Sequence, residues 1–305
     1  MSDVDVVLVN YRSGPRLAAA AGEAVRWLGE RAAVTIVDNS PGDGAAELVP
    51  GAQVIRNEEN RGFAAAVNQA VRTTSAPFVL LLNPDVSGIR GEFAALERIF
   101  AADDDVAAVA PRLVGPDGAL QRSARREPRP RDLLVDVFGL RGRFPRSRRL
   151  FASHYGDWDY ASERVVDAAS GAFLVLRRAA LDAVGPFDER YFVYAEETDW
   201  LVRAKQLGWK TVFSPEVEAV HAARTSTDAG EPALTLLLVE SEHEYVRKHF
   251  GARTAVAFRG VTLAGDSLRW AVAAARGPSR RAHRRALADR LRVHAGRRPG
   301  GRSTI

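Results

Sequence analysis

Polar side chains follow four apolar segments in the first part of the chain. The segments are VDVVLV, VTIV, AQVI and FVLLL, and the residues that follow them are Asn10-Tyr11, Asp38-Asn39, Arg56-Asn57 and Asn83-Pro84-Asp85. One such cluster is typical of a turn, because Asn, Asp and Ser favour turn conformations. Ligands of open α/β sheets, however, bind beyond the carboxyl ends of the strands. Polar residues at successive strand ends therefore predict a binding site along one edge of a sheet.

A nucleotide at this edge would be held by side chains, since the sequence contains neither GxGxxG nor a P-loop. Asp38 is suited to accept a hydrogen bond from the base, and Tyr11 is suited to stack on it. Asp85 would meet a diphosphate only through a divalent cation, because a carboxylate that faces phosphate oxygens is otherwise repelled. The sequence therefore favours a nucleotide diphosphate held together with a metal ion.

The stretch YAEETDW provides three carboxylates, Glu196, Glu197 and Asp199, at the start of a predicted helix. A structural interpretation is that they complement the helix dipole and that Asp199 pairs with Arg203 one turn later. Three carboxylates within four residues exceed what capping needs, and their mutual repulsion would raise the pKa of one toward that of a useful general base.

His221 follows a predicted strand in VEAVHAARTST. A single histidine is more often structural than a ligand, but the metal ion that Asp85 would require makes His221 a candidate metal ligand.

Strand and helix patterns alternate over residues 1–115, which predicts βαβ units and a mostly parallel sheet. Residues 116–160 are rich in Arg, Pro and Gly, and we expect a long loop or inserted flap there. Strand and helix patterns return over 161–232. From about residue 233 onward the sequence is helical in pattern and ends in a basic amphipathic segment.

The composition is that of a globular protein: 305 residues, of which 46% are hydrophobic, with no cysteine. The absence of cysteine excludes disulfides, thiolate metal sites and a cysteine nucleophile. The N-terminus has early acidic residues and no basic region, and no stretch approaches the roughly 18 apolar residues that a membrane span needs. We therefore expect a cytoplasmic protein without a signal peptide.

The net charge of +5 is unevenly distributed, because arginines concentrate within 122–149 and 276–302. Such blocks are typical of a membrane-surface or polyanion contact, or of a solvated tail. The blocks lack interleaved aromatic residues, and we expect no nucleic-acid partner.

Several motifs occur in an order that resembles one known family. They are VVLVNY, VDNS, NRGFAAAVNQA, LLNPDV, SGAFLVLRR, GPFDERYFVYAEETDWLVRAKQLGWK and VHAARTST. The chain resembles family 2 inverting glycosyltransferases with the GT-A fold, and more narrowly the rhamnosyltransferases of bacterial cell-wall and O-antigen synthesis. The resemblance covers about residues 4–250 and implies an α/β fold whose mostly parallel central sheet is flanked by helices, with a helical C-terminal extension.

The resemblance also implies a role for individual residues. The nucleoside would be held by Asn10, Tyr11, Asp38 and Asn39, and the donor pocket would be shaped by Asn60, Gly62, Phe63 and Asn68. The place of the family's DxD motif would be taken by Asn83 and Asp85, with His221 as the second metal ligand. Gly171 would face donor and acceptor, and Glu197 would be the general base. The sequence departs from the family at Asn83 and Glu197, where the family usually has Asp. Glu196 or Asp199 is therefore an alternative base.

By this resemblance the protein would use Mg²⁺ or Mn²⁺ to transfer a sugar to a polyprenyl-diphosphate-linked GlcNAc. L-rhamnose from dTDP-L-rhamnose is the expected donor; galactofuranose, glucose or GlcNAc from UDP are the alternatives. A non-catalytic polyanion-binding or scaffold protein is a further alternative. We expect a transferase domain over 1–250, a helical basic extension over 251–305, and peripheral contact with the anionic inner face of the cell membrane.

Overall fold

A computed structural model describes residues 3–40, 42–144, 147, 149–150, 152–156, 158–222, 232–275 and 281–294. The strands are β1 Val4–Asn10, β2 Ala32–Asp38, β3 Gln53–Arg56, β4 Phe78–Leu82, β5 Val86–Arg90, β6 Val106–Val114, β7 Leu120–Gln121, β8 Ala124–Arg125, β9 Arg164–Val166, β10 Ala168–Ala169, β11 Phe173–Arg177 and β12 Lys210–His221. The α-helices are α1 Pro15–Leu28, α2 Phe63–Val71, α3 Phe93–Ala102, α4 Pro130–Val137, α5 Leu140–Arg143, α6 Arg178–Val184, α7 Glu196–Gln206, α8 Pro232–Ala275 and α9 Arg281–His294.

The central sheet has the strand order β3-β2-β1-β4-β11-β6-β12-β5. Strands β3, β2, β1 and β4 are parallel, and β6 and β12 run in the same direction. Strand β11 opposes β4 and β6, and β5 opposes β12. The predicted mostly parallel α/β sheet is thus confirmed, with reversed strands in its second half.

Helices cover both faces of the sheet, so successive residues of a strand enter different cores. Val6 and Leu8 of β1 belong to the core that packs against α1 and α3, whereas Val7 belongs to the core formed with α2, α6 and α7. In β4, Leu80 likewise belongs to the first of these cores and Leu81 to the second. This two-sided burial explains why the strands read as continuous apolar runs.

Strand β5 was not predicted from the sequence, and it brings two candidate metal ligands together. It begins directly after Asp85 and pairs antiparallel with the end of β12, where Val86 lies opposite His221. The backbone N–H of Ala222 donates to the carbonyl of Asp85 at 3.0 Å. Because β5 is largely exposed, its sequence VSGIR lacks the apolar pattern of the inner strands.

The described residues of 116–160 contain short helices and strands, where the sequence predicted a long loop or inserted flap. They include β7, β8, α4 and α5, and the rings of Trp158 and Tyr160 stack with centroids 4.1 Å apart. Leu133 of α4 shares a buried cluster with Tyr245 of α8. Short helices depend on such packing rather than on their own propensity, so their sequence shows little periodicity.

The C-terminal part of the described chain is a helical hairpin. Helix α8 has non-helical backbone at Gly251 (φ 83°, ψ 167°), where the sequence predicted a domain boundary. Helix α9 packs back on α8, and the buried carboxylate of Asp266 accepts hydrogen bonds from Arg290 Nε at 2.7 Å and His294 Nε2 at 3.0 Å.

Three stretches to which the sequence analysis gave a role, 223–231, 276–280 and 295–305, lie outside the described residues. Among the helices of the described ranges, none combines the length and the apolar character of a membrane span.

Candidate active site

A cavity of about 370 Å³ opens at the carboxyl ends of β1 and β4. Most residues that the sequence analysis selected line it: Tyr11, Asn39, Asn60, Gly62, Phe63, Asn83, Asp85, Gly171, Glu196, Glu197 and His221. Asn10, Asp38, Asn68 and Asp199 are not among the lining residues. The predicted edge of the sheet is therefore where the cavity lies.

Asn10 and Asp38 are buried beneath the cavity wall and hold its polar residues in place. Asn10 Nδ2 donates to Asp38 Oδ1 at 2.8 Å, and Asn57 Nδ2 donates to Asn39 Oδ1 at 2.7 Å. Asn39 Nδ2 in turn donates to the carbonyl of Gly62 at 3.1 Å. Three strand ends and the loop before α2 are thus joined by one hydrogen-bond network.

Asn68 joins α2 to the loop that follows α6, outside the cavity. Its side chain donates to the carbonyl of Phe187 and accepts from the N–H of the same residue, both at 2.9 Å. These bonds account for its polar side chain on an otherwise apolar helix face. The structure therefore gives Asn68 a positioning contact rather than a place in the cavity.

Gly62 must be glycine because the chain of the opposite wall passes directly over it. Its φ is 85°, and a Cβ there would lie 2.5 Å from the carbonyl oxygen of Phe192. The next residue, Phe63, donates its N–H to that same oxygen at 2.7 Å. The loop before α2 is thereby fixed against the segment that leads into α7.

Asp85 and His221 form the part of the cavity that is suited to a metal ion. Asp85 Oδ1 is buried and accepts no hydrogen bond within the described residues, and His221 Nε2 lies 3.5 Å from it. A carboxylate oxygen is a usual ligand of Mg²⁺ or Mn²⁺ where substrate phosphates complete the shell, and an imidazole nitrogen binds transition-metal ions. The described residues contain no group of three or more His, Asp or Glu side chains that could hold a metal by themselves. The pair thus fits a cation that is shared with a diphosphate.

The acidic residues Glu196 and Glu197 begin α7 at the cavity wall. The two residues before them, Tyr194 and Ala195, both have φ of 71°, a left-handed conformation that costs energy for side chains other than glycine. This strained turn directs the first residues of α7 toward the cavity. Gly171 lies against Glu197, and a Cβ on Gly171 would be 3.3 Å from Glu197 Cβ and Cγ.

The two glutamates differ in environment. Glu196 is 5% exposed and its Oε2 has no hydrogen-bond partner among the described residues. Burial, together with the adjacent charge of Glu197, raises the pKa of Glu196 well above its ordinary value. Glu196 therefore tends to keep its proton, whereas Glu197 is less buried.

Asp199 is not among the residues that line the cavity, and it pairs with Arg203, as the structural interpretation of the sequence proposed. Its oxygens accept from Arg203 Nε at 2.9 Å, Lys248 Nζ at 2.7 Å and His249 Nε2 at 2.8 Å. Burial opposes ionisation of Asp199, but the hydrogen bonds from His249 and Lys248 outweigh it and hold its pKa below the ordinary value. Asp199 joins α7 to α8 and is not positioned to act as a base.

The sequence analysis missed a second set of residues that line the cavity. They are Val9, Ser13, Pro84, Ser170, Ala172, Phe192, Val193, Tyr194, Leu234, Leu237 and Leu238. The three leucines belong to the first turns of α8, and no local signal connects that helix with a site made from β1 and β4. A surplus of leucine in ALTLLLVES is the feature of the sequence that could have drawn attention to it.

The α/β sheet with its flanking helices has the GT-A fold. The mannosyltransferase PcManGT from Pyrobaculum calidifontis, solved in complex with GDP-Man and Mn²⁺, has a similar fold with a TM-score of 0.56 at 18% identity. The similarity covers 97% of this chain and 86% of that one. The protein belongs to Glycosyl transferase family 2, whose profile matches residues 5–182. It is a glycosyltransferase of the hexosyltransferase class.

The names of several relatives state a sugar. The N-acetylglucosaminyl-diphospho-decaprenol L-rhamnosyltransferase of Mycobacterium tuberculosis is 29% identical over 243 residues, which is 74% of this chain and 78% of the relative. The galactofuranosyl glycosyltransferase of Leishmania donovani is 28% identical over 202 residues, 59% of this chain and 45% of the relative.

Proposed function

We propose that this glycosyltransferase moves a hexose from a nucleotide diphosphate to a hydroxyl of a lipid-diphosphate-linked sugar, in a metal-dependent reaction that inverts the anomeric centre. The observation that carries the proposal is that Asp85, His221 and Glu197 line the same cavity. A pair of metal-compatible groups on one wall and a carboxylate on another suits a single displacement at a sugar held between them.

Glu197 is the proposed general base. It takes the proton of the acceptor hydroxyl while the hydroxyl oxygen forms a bond to the anomeric carbon of the donor. The bond from that carbon to the phosphate oxygen breaks, and the nucleoside diphosphate leaves with both electrons of this bond. Because attack and departure occur on opposite faces, one carboxylate suffices and the configuration inverts. A protonated Glu196 beside Glu197 adds no second charge that would repel the departing diphosphate.

Asp85 and His221 are the proposed holders of Mg²⁺ or Mn²⁺. When bound, the cation would neutralise charge on the leaving diphosphate. Asn83 replaces the carboxylate that the family usually carries, so the buried Asp85 is the anionic member of the site. Tyr11, Asn39, Asn60, Gly62, Phe63 and Gly171, which line the cavity, are proposed to hold the nucleotide and sugar. Asn10, Asp38 and Asn68 are proposed to support them through hydrogen bonds outside the cavity.

L-rhamnose from dTDP-L-rhamnose is the proposed donor, supported by the extent of similarity to the mycobacterial L-rhamnosyltransferase. Galactofuranose from UDP-galactofuranose is the second candidate, which the leishmanial relative favours. Sugar choice rests on a few contacts in the pocket and therefore differs between related transferases.

A lipid-linked acceptor is supported by the apolar wall of the cavity. Leu234, Leu237 and Leu238 extend from the cavity along α8, and Leu238 is 40% exposed. A wall of leucines is poorly suited to a free oligosaccharide and well suited to the first carbons of a lipid carrier. The name of the mycobacterial relative includes a decaprenol diphosphate, which has this chemistry.

Peripheral contact with an anionic membrane, at the cytoplasmic face, is the corresponding proposal for location. The half of α8 beyond Gly251 exposes a set of large apolar side chains at between 37% and 72%: Val256, Val261, Leu263, Leu268, Trp270 and Val272. Large apolar side chains exposed in this number along one helix favour an interaction site. The adjacent α9 carries five arginines and one aspartate, which complements anionic headgroups.

We also assign 1–115 to donor binding, 161–232 to catalysis and acceptor binding, and 251–305 to the membrane-facing extension. Within this division, 116–160 supports the acceptor side through its contact with α8.

A donor screen tests the proposal most directly. The purified protein would be incubated with dTDP-L-rhamnose, UDP-galactofuranose, UDP-glucose or UDP-GlcNAc, with Mn²⁺ or Mg²⁺ and a polyprenyl-diphosphate-linked GlcNAc. Release of nucleoside diphosphate that depends on metal and acceptor is expected with dTDP-L-rhamnose. Turnover with another donor alone would correct the sugar, and undiminished turnover in EDTA would contradict the metal requirement.

A further inference from the structure

Gln121 of β7 makes two hydrogen bonds to His221, one to its backbone and one to its ring. Gln121 Nε2 donates to the carbonyl oxygen of His221 at 2.6 Å, and His221 Nδ1 lies 2.9 Å from Gln121 Oε1. No role was expected for Gln121 from the sequence, where it stands in the basic segment before the first arginine block.

The two bonds together define which atoms carry protons. A backbone carbonyl can only accept, so the amide nitrogen of Gln121 must face the carbonyl of His221. The amide oxygen must then face the ring, and since that oxygen can only accept, His221 Nδ1 must carry the proton. The orientation of the amide, which is ambiguous in most side-chain contacts, is thus settled by its second partner.

When the ring is neutral, as metal binding requires, its other nitrogen therefore presents a lone pair to the cavity. In a neutral ring with a proton on Nδ1, Nε2 is an acceptor, and it lies 3.5 Å from the buried Asp85 Oδ1. This separation is too long for an N–H···O hydrogen bond between the two groups, and Asp85 Oδ1 has no other hydrogen-bond partner in the described chain. Two acceptors that face each other in this way form an arrangement that a cation between them would stabilise.

Pairing of the strands holds Gln121 in reach of His221. Leu113 near the end of β6 lies opposite Gln121 of β7 on one side and opposite Ala219 of β12 on the other. Gln121 and His221 therefore flank the same end of β6, and the glutamine side chain spans the gap that β6 leaves when it ends at Val114.

We propose that Gln121 is a positioning residue that fixes His221 in the Nδ1–H tautomer, so that Nε2 and Asp85 Oδ1 together face a divalent cation. The inference rests on the metal site of the proposed function. Groups that hold the second nitrogen of a metal-binding histidine typically contribute about 10–100-fold to metal affinity.

Three variants test the proposal. Gln121→Leu keeps the approximate size of the side chain and removes both hydrogen bonds. Gln121→Glu keeps an acceptor for Nδ1–H but cannot donate to the carbonyl of His221. Gln206→Leu, at the exposed end of α7, is the matched control. Circular dichroism would establish that each variant is folded.

The first measurement is ¹⁵N NMR of the histidine rings in metal-free protein, with His221→Asn used to assign the resonance among the six histidines. The wild type, Gln121→Glu and Gln206→Leu should show His221 with the proton on Nδ1. Gln121→Leu should lose this tautomer. A wild-type His221 that carries its proton on Nε2 would overturn the inference, whatever the result with metal.

The second measurement is Mn²⁺ binding, followed by electron paramagnetic resonance with Mn²⁺ alone and with Mn²⁺ and dTDP. Gln121→Leu should bind Mn²⁺ about 10-fold or more weakly than the wild type, whereas Gln206→Leu should bind as the wild type does. If Asp85→Asn abolishes binding and Gln121→Leu leaves it unchanged, the metal site stands and the role of Gln121 is wrong. If Asp85→Asn and His221→Asn leave binding unchanged, or the wild type binds no Mn²⁺, the proposed metal site fails and the inference fails with it.

Discussion

Asp85 Oδ1 and His221 Nε2 lie 3.5 Å apart, although the two residues come from distant parts of the sequence. The antiparallel pairing of β5 with the end of β12 brings them together, with Val86 opposite His221. The same cavity contains Glu197 at the start of α7. The chemistry proposed for this glycosyltransferase depends on that convergence.

Glu197→Gln and Glu196→Gln should differ sharply in activity. Gln cannot accept the proton of the acceptor, so Glu197→Gln should lower kcat by about 10²–10⁴-fold. Gln resembles a protonated glutamate, so Glu196→Gln should retain most activity near neutral pH. Steady-state kinetics with the donor found in the screen would measure both. The reverse order of effects would transfer the role of base to Glu196.

Asp199→Asn should lower stability more than it alters the catalytic step. The substitution leaves Arg203, Lys248 and His249 without their carboxylate, and breaking a buried ion pair costs about 3 kcal/mol or more. Asp182→Asn is the control, because Asp182 makes an exposed i,i+4 pair with Arg178 that contributes at most about 0.5 kcal/mol. Urea denaturation would compare the two. Equal stability of both variants would show that Asp199 does not support the contact between α7 and α8.

Gly171→Ala should reduce turnover without unfolding the protein. The added Cβ would come within 3.3 Å of Glu197 Cβ and Cγ and displace its side chain, and displacements on this scale lower rates by roughly 10–100-fold. Gly260→Ala on α8, where a Cβ meets nothing within 4 Å, is the control. The expected result is a lower kcat with a nearly unchanged melting temperature. Wild-type kcat in Gly171→Ala would mean that the position of Glu197 is not critical.

Glu242→Gln should change how stability depends on pH. Burial raises the pKa of Glu242 from 4.5 to about 8 in the folded protein, against the opposing charges of Arg290 and Arg125. Between these values the folded state binds more protons than the unfolded state, so this group stabilises the protein at acidic pH. That contribution is lost as the pH rises from about 4.5 to about 8, at up to about 1.4 kcal/mol per pH unit.

The Glu242→Gln variant lacks this proton. Relative to the wild type, its free energy of unfolding should be higher at about pH 8 than at about pH 5. Glu244→Gln, a substitution at the partly exposed partner of Arg247, controls for the loss of a carboxylate from the same helix. Parallel curves for the wild type and Glu242→Gln would show that Glu242 ionises normally.

Leu268→Glu combined with Trp270→Glu should weaken association with membranes. Both side chains are exposed on α8, at 67% and 41%, and a carboxylate at either position opposes insertion into an anionic surface. Leu207→Glu at the end of α7, exposed at 62%, is the control. Co-sedimentation with phosphatidylglycerol vesicles would measure binding. Deletion from about residue 277 should also weaken vesicle binding. If neither the double substitution nor the deletion reduces binding, α8 and the C-terminal segment do not form the membrane contact.

Much of the fold follows from local patterns in the sequence. The apolar runs of β1, β2 and β4 and the helical period of α1, α2 and α3 predicted the α/β sheet correctly, because both faces of these strands are buried. Strand β5 and helix α4 escaped prediction. The first is largely exposed, and the second is short and packs against α8, so tertiary contacts rather than propensity determine both.

The sequence by itself determined the polar strand ends, the acidic start of α7 and the chemical types available for a metal ion. Which of these groups meet was decided by the tertiary structure. Pairing of β5 with β12 places Asp85 next to His221. Asp199 binds Lys248 and His249 of α8 instead of lining the cavity. Gln121 of β7 forms a hydrogen bond to the ring of His221. Residue types and their spacing are local properties, whereas a site beyond the ends of several strands depends on pairings between segments far apart in the chain.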